Sequence, residues 1–235
     1  MHDCGASCCN DNHNDCVRLV PLFQSLKEPE FKLIQQTVQR RQYHKGDYIF
    51  HEGDPTDGLY VVNEGAIKIS KLSDAGKEHV LRFLFPGDFN GQFALFHESH
   101  HYTNAEALQE TVVCHIHRAD LRAMLQENPH ITYQFLVALS NQLRLADEWG
   151  STISLLDVEK RLAKTLLLFS ENHGMHNTLE LPVAKKEFAS LLSVTPETLS
   201  RKLAQFESKD VISLLGKRKI LIRDRQALEK LSGVV

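Results

Sequence analysis

The hydrophobic period of the chain changes once, near Pro129, and this change divides the fold into a β part and a mainly helical part. Between Arg41 and His117 the apolar residues come in short runs such as "DYIFHEGD", "GLYVVNEGAIKISKL", "LRFLF" and "ETVVCHIH". Glycines at positions 46, 53, 58, 65, 76, 87 and 91 separate them. Short strands punctuated in this way form a small β-barrel or roll rather than a parallel α/β sheet. Asn63-Glu64-Gly65 predicts a hairpin between the two strands that flank it. After Pro129 no proline occurs before Leu156. Leu136, Leu139, Leu143, Ala146, Gly150 and Ile153 follow one another at steps of three or four. That is a narrow heptad stripe on a helix about 40 Å long. Such a helix is longer than packing on a small roll needs, so it predicts a homodimerisation helix; a helix lying on the roll is the alternative.

The remainder is a small α+β unit. Asp157 is placed to cap a helix over 158–173. "KKEFASLLSVTPETLSRKLAQFESKDVI" reads as two helices joined by a tight turn at Ser193-Val194-Thr195. Thr195 suits the N-cap and Pro196 the first helical position. "VISLLGKRKILI" reads as two strands turning at Gly216-Lys217. Helix, turn, helix and hairpin make a winged helix-turn-helix. The second helix of such a unit places its N-terminal residues at base edges in the major groove, and here these are Glu197, Thr198, Ser200 and Arg201. Arg201 can donate twice to guanine, and Glu197, four residues earlier on the same face, can accept from cytosine; a surface ion pair between the two is the alternative. Lys202, Lys185 and Lys186 are assigned to phosphates, and Lys217, Arg218 and Lys219 to a basic wing tip. Charge agrees: from Asp157 onward there are 14 Lys+Arg against 10 Asp+Glu, while the whole chain carries −3.

No apolar run approaches the ~20 residues that span a bilayer, and the N-terminus has neither the basic nor the apolar region of a signal peptide. A cytoplasmic protein is expected. Four of the five cysteines, Cys4, Cys8, Cys9 and Cys16, lie in the first sixteen residues, beside His2 and His13. In a reducing compartment such a cluster points to metal, cluster or redox chemistry. No nucleophile with its base, paired carboxylates or phosphate loop supports an enzyme.

Roll, long helix and winged helix-turn-helix, in that order, resemble the Crp/Fnr family of bacterial transcription regulators across nearly the whole chain. "GDYIFHEGDPTDGLYVVNEGAIKI" and "LFPGDFNGQFALF" are similar to its effector-domain blocks, and "SVTPETLSRKL" to its recognition helix. The E-x-x-S-R pattern there marks the Fnr side of the family and implies a palindrome of TTGAT-like half-sites. The resemblance implies an α+β fold: a sensor tail over 1–19, a cyclic-nucleotide-binding-type roll over 20–127, a dimerisation helix over 128–156 and the DNA-binding unit over 157–235. It implies double-stranded DNA, a second copy of the chain and RNA polymerase as partners. Ser193 departs from the glycine usual in the turn, where φ > 0 is costly for other residues.

Cyclic-AMP binders of the family carry Gly-Glu and Arg-Ser pairs in the roll. Here Gly91 is followed by Gln92, and Tyr102-Thr103 stand for Arg-Ser, so no arginine awaits a cyclic phosphate and cyclic AMP is not the expected effector. His97, His100 and His101 are read as solvent-exposed loop residues, with metal or haem ligation the alternative. Fnr-type sensors hold an iron–sulfur cluster on three tail cysteines and one in the roll, where Cys114 falls. The resemblance thus implies a [4Fe–4S] cluster on Cys4, Cys8 or Cys9, Cys16 and Cys114, and a regulator answering oxygen or redox state. The tail spacing C-x3-C-C-x6-C differs from the family's C-x2-C-x5-C. It leaves open a thiol-disulfide switch with Cys114, a zinc or copper site on Cys8, Cys9, His13 and Cys16, or a Crp-type regulator with a small effector in the roll.

Overall fold

The computed structural model describes residues 34, 37–74, 76–96, 100–175, 178–181 and 183–233. Two four-stranded antiparallel sheets form the roll. One has the order β1 (Val38–Tyr43), β8 (Thr111–His117), β3 (Gly58–Glu64), β6 (Phe89–Asn90). The other has the order β2 (Tyr48–Phe50), β7 (Asn104–Ala107), β4 (Ile67–Leu72), β5 (Glu78–Leu84). Phe50, Tyr60, Val62, Ile67, Ile69, Leu84, Ala105 and Val113 form one buried core of the roll. Because side chains alternate along a strand, β3 and β8 also present a second apolar face. There Leu59, Val61, Cys114 and Ile116 meet Leu121 and Met124 of α1 (Arg118–Glu127) and Ile131 and Phe135 of α2 (Pro129–Leu155).

The hairpin expected at Asn63-Glu64-Gly65 is not formed. β3 pairs with β6 and β8, whereas β4 pairs with β5 and β7, so the chain passes from one sheet to the other at this point. Gly65 makes the passage at φ +90°, and a Cβ there would collide with the Glu110 carbonyl and the Thr111 hydroxyl. A glycine turn is a local signal, but strand partners are chosen by which faces bury apolar surface.

The long helix spans 27 residues. The C-terminal unit follows: α3 (Val158–His173), β9 (Gly174–Met175), β10 (Thr178–Glu180), α4 (Lys185–Leu191), α5 (Pro196–Ser208), β11 (Ile212–Leu214), β12 (Lys219–Ile222) and α6 (Arg225–Ser232). Its strands make an antiparallel sheet in the order β11-β12-β10-β9. Asp157 caps α3 by accepting the Lys160 N–H at 2.9 Å. Among the described residues no helix is long and apolar enough to cross a membrane.

Candidate nucleic-acid interface and sensor core

The turn between α4 and α5 is built from its own backbone bonds. Val194 N–H donates to the Ala189 carbonyl and Ser193 N–H to Ser190, both at 3.0 Å, the pattern of a Schellman helix end. Ser193 takes φ 55°, the left-handed conformation that its place in the turn foreshadowed, and a strained one for a non-glycine residue. Thr195 then caps α5, its hydroxyl accepting the Thr198 N–H at 3.2 Å. Leu199, Leu203 and Phe206 face the core, which turns Glu197, Ser200 and Arg201 outward, all exposed. Glu197 is held below the usual carboxylate range by its own backbone N–H and by the Thr195 hydroxyl, so it is an acceptor at neutral pH. Among the described residues Arg201 makes no ion pair, so the two side chains stand side by side without neutralising each other.

The other assigned cations divide. Lys217 and Arg218 are exposed on the turn between β11 and β12, and Lys219 is exposed at the start of β12, 3.7 Å from Glu180. Lys186 is exposed and Lys185 half-buried at the start of α4. Lys202 is engaged within the domain: its ammonium lies 2.9 Å from Glu159 and donates to Gln205 at 3.1 Å. Glu159 also holds Lys209 at 3.1 Å, and the two ammonium groups keep its carboxylate below the usual range. Thr198 is likewise occupied, receiving the Thr195 hydroxyl at 3.2 Å.

On α2 the heptad stripe lies open. Leu136 is 57% and Leu143 64% exposed, Ala146 and Gly150 are exposed, and Leu139 and Ile153 are half-buried. Leu139 also packs against the core that contains Cys114.

Cys114 is 2% exposed on β8, opposite Arg40 of β1 and Val61 of β3. Its apolar cluster includes Ile34. Cys4, Cys8, Cys9 and Cys16, with His2, His13 and His97, lie outside the described residues. Among the described residues no three metal-ligating side chains gather at one point.

The roll holds polar groups that the sequence did not reveal. Asp57 accepts the Tyr60 hydroxyl at 2.5 Å and lies 3.1 Å from His115 Nε2. His115 is fully buried, and its Nδ1 has no partner among the described residues. His101, expected on the surface, is 6% exposed; its ring stacks on Phe50 at 3.6 Å, and its Nε2 also has no partner among the described residues. His100 is exposed as expected. Stacking on Phe50 offsets the exposure that a polar loop otherwise favours. Arg82 donates to Asn90 at 3.1 Å, and burial lowers its pKa. Gln92 donates to Gln142 of α2 at 3.3 Å, which ties the segment after Gly91 to the long helix. Tyr102 is 50% exposed against Phe93.

Burial depresses the pKa of both His101 and His115, with the nearby Asp57 carboxylate opposing it. The unfolded chain, with histidines near 6.5, therefore binds protons before the folded one does as pH falls. Stability is complete above pH 6.5 and declines as pH drops below it. Thermal unfolding between pH 7.5 and 5.5 is expected to show a falling Tm, at about 2–4 °C per kcal/mol lost. His101→Phe keeps the stack on Phe50 and is expected to flatten that dependence; an unchanged slope would show that His101 contributes nothing to it.

Residues 40–128 match the family model of the cyclic nucleotide-binding domain, and residues 160–231 that of the Crp-like helix-turn-helix domain. The chain is 28% identical over 213 residues to the CRP-like cAMP-activated global transcriptional regulator of Mycobacterium tuberculosis, covering 89% of this chain and 95% of that protein. It is also 28% identical over 214 residues to the anaerobic regulatory protein of Pasteurella multocida, covering 89% and 78%. Among solved structures, FixK2 from Bradyrhizobium japonicum superposes with a TM-score of 0.77 at 25% identity, covering 84% of this chain and 98% of FixK2. With the two domains in this order and a capped recognition helix whose reading face is open, the chain belongs to the Crp/Fnr family and is a DNA-binding transcription regulator.

Proposed function

We propose that the protein is a homodimeric regulator of the Fnr type, which binds a palindrome of TTGAT-like half-sites when its N-terminal thiols are in the right redox or cluster state. The observation that carries this reading is the position of Cys114. It sits on a central strand and faces the helical layer, in one apolar cluster with Ile34, and Leu139 of the α2 stripe packs against that cluster. A change at its sulfur therefore acts on the same packing that positions α2. Cys16 is eighteen residues before Ile34, and a chain of that length reaches up to about 60 Å when extended, so reach does not limit pairing of the tail with this face.

A [4Fe–4S] cluster takes four thiolates, and Cys4, Cys8 or Cys9, Cys16 and Cys114 offer that number. Burial among apolar side chains disfavours a bare thiolate at Cys114; coordination to iron offsets that cost. When bound, the cluster would supply oxygen-labile redox chemistry and the energy to order the tail. The chain's own residues do the rest. Cys114 anchors one end, Leu139 carries the packing change to α2, and the dimer then sets its two recognition helices one helical turn apart. RNA polymerase is the further partner of this reading.

Protein purified without oxygen is expected to show a broad visible absorbance, about four iron and four sulfide per chain, and binding to a TTGAT-N4-ATCAA duplex that fades on exposure to air. Cys114→Ser is expected to lose the absorbance and the iron. Colourless, iron-free wild-type protein with full, air-stable binding overturns the cluster; if binding instead falls with a thiol oxidant and returns with dithiothreitol, a thiol-disulfide switch is the mechanism.

A second reading places a small effector in the roll, favoured by the ring nitrogens of buried His101 and His115 that no described residue engages. Titration calorimetry with cyclic AMP and cyclic GMP distinguishes it.

A further inference from the structure

The outer face of the second sheet is not a solvent face. Along β4, Ile67 and Ile69 point into the roll, so Lys68, between them, and Ser70, which follows, point outward. Both are nonetheless buried, at 6% and 2% exposure. Opposite them, β5 carries a bulge: Ile69 pairs with Arg82 and Ser70 with Val80, leaving Leu81 without a pair. The extra residue resets the alternation, so that Val80 and Phe83 share the outer side while Leu84 points into the roll. Val80 and Phe83 belong to the core of the DNA-binding unit, in one buried cluster with Phe188, Leu191, Leu199 and Phe206, whereas the other buried roll residues form separate clusters. An aromatic chain crosses the same boundary, with ring centroids 6.4 Å apart from Phe83 to Phe85, 6.3 Å from Phe85 to Phe169 and 5.6 Å from Phe169 to Phe188.

Charges follow the same seam. Buried Lys68 lies 2.8 Å from Glu78 and 2.7 Å from Glu106, both half-buried, leaving the triad one negative charge in excess. α4, which carries Lys186, packs against β5; burial raises the Glu78 pKa, and Lys68 and Ser70 lower it, with the Lys186 charge adding to their effect.

We propose that the outer face of β4 and β5 is a docking surface for α4, and that Val80, Phe83 and the Lys68–Glu78 pair are positioning residues for DNA binding. Lys186 serves this seat and is not a phosphate contact. The reason lies in the geometry of a two-headed reader. Each recognition helix must be offered at a fixed distance from its twin, and a head that swivelled on the 156–157 link would forfeit most of the advantage of binding two half-sites at once. The seat holds the head against its own roll while Glu197, Ser200 and Arg201 stay exposed. It acts whatever signal the roll senses.

The test uses the full-length dimer, with fluorescence anisotropy on a palindromic duplex and on a duplex carrying one half-site. The chain's single tryptophan, Trp149, packs against the mixed cluster and reports the seat by its emission. Val80→Glu is expected to red-shift Trp149 and to lower palindrome affinity about tenfold or more, with single half-site affinity, helical circular dichroism and dimer mass unchanged. Unchanged palindrome affinity, or an equal loss on both duplexes, overturns the proposal. Lys186→Gln, at an exposed position, gives a second decision. The slope of log affinity against log salt is expected to stay as in wild type; a slope shallower by about one unit marks a phosphate contact and overturns the role of Lys186. Failure of both duplexes in wild-type protein would instead refute the assigned half-site sequence.

Discussion

Arg201→Ala is expected to cost about 1–3 kcal/mol at each half-site, and a dimer carries two, so palindrome binding falls by orders of magnitude. Arg201 is exposed on a helix whose opposite face is locked by Leu199, Leu203 and Phe206, so the helix itself does not change. Nothing within the described residues neutralises the guanidinium, and its loss does not expose an unpaired buried charge. The effect must therefore appear in binding and not in Tm. It should also be selective: replacing the guanine that Arg201 reads should cost wild type about as much as the mutation, and should cost Arg201→Ala little more. Wild-type affinity in Arg201→Ala, by gel shift on TTGAT-N4-ATCAA, removes this residue from the readout. Glu197→Gln is gentler, because the amide keeps an acceptor oxygen.

Leu143→Glu is expected to turn the dimer into a monomer at micromolar concentration. Leu143 is 64% exposed in the single chain, so the mutation costs the protomer little. At a two-fold interface the same residue is lost twice. Each buried leucine contributes about 1.5–3 kcal/mol, and two carboxylates would then be driven together in an apolar seam. Sedimentation velocity gives the mass, and circular dichroism shows whether the protomer stays folded. Palindrome affinity should fall to the level of one half-site, linking the stripe to the two-headed reading. A dimer of unchanged mass would show that the exposed leucines serve another surface.

The helix-turn-helix was legible because its signals are local. Thr195 and Pro196 announce the start of α5 within two residues, and the 3.6-residue period fixes which face is buried. The same holds for α2, whose stripe needs nothing but spacing. The hairpin expected at Gly65 failed because a turn residue states that the chain bends, not which strands meet afterwards. His101 was misplaced for a related reason: its burial depends on Phe50, some fifty residues away, offering a ring to stack on. Lys202 looked like every other basic residue of its helix until Glu159, from another helix, engaged it. The bulge at Leu81 carries no letter that marks it, yet it turns two apolar side chains from the roll toward the DNA-binding domain.

The sequence by itself determined the order of the parts, the outward face of Glu197, Ser200 and Arg201, the heptad stripe and the concentration of thiols before residue 17. Those follow from composition, caps and periodicity, which are properties of neighbours in the chain. Only the tertiary structure decided that Cys114 faces the helical layer and not the roll interior, and that β5 belongs to the cores of two domains. Both depend on which residues distant in sequence are pressed together, and that is set by the burial of whole faces.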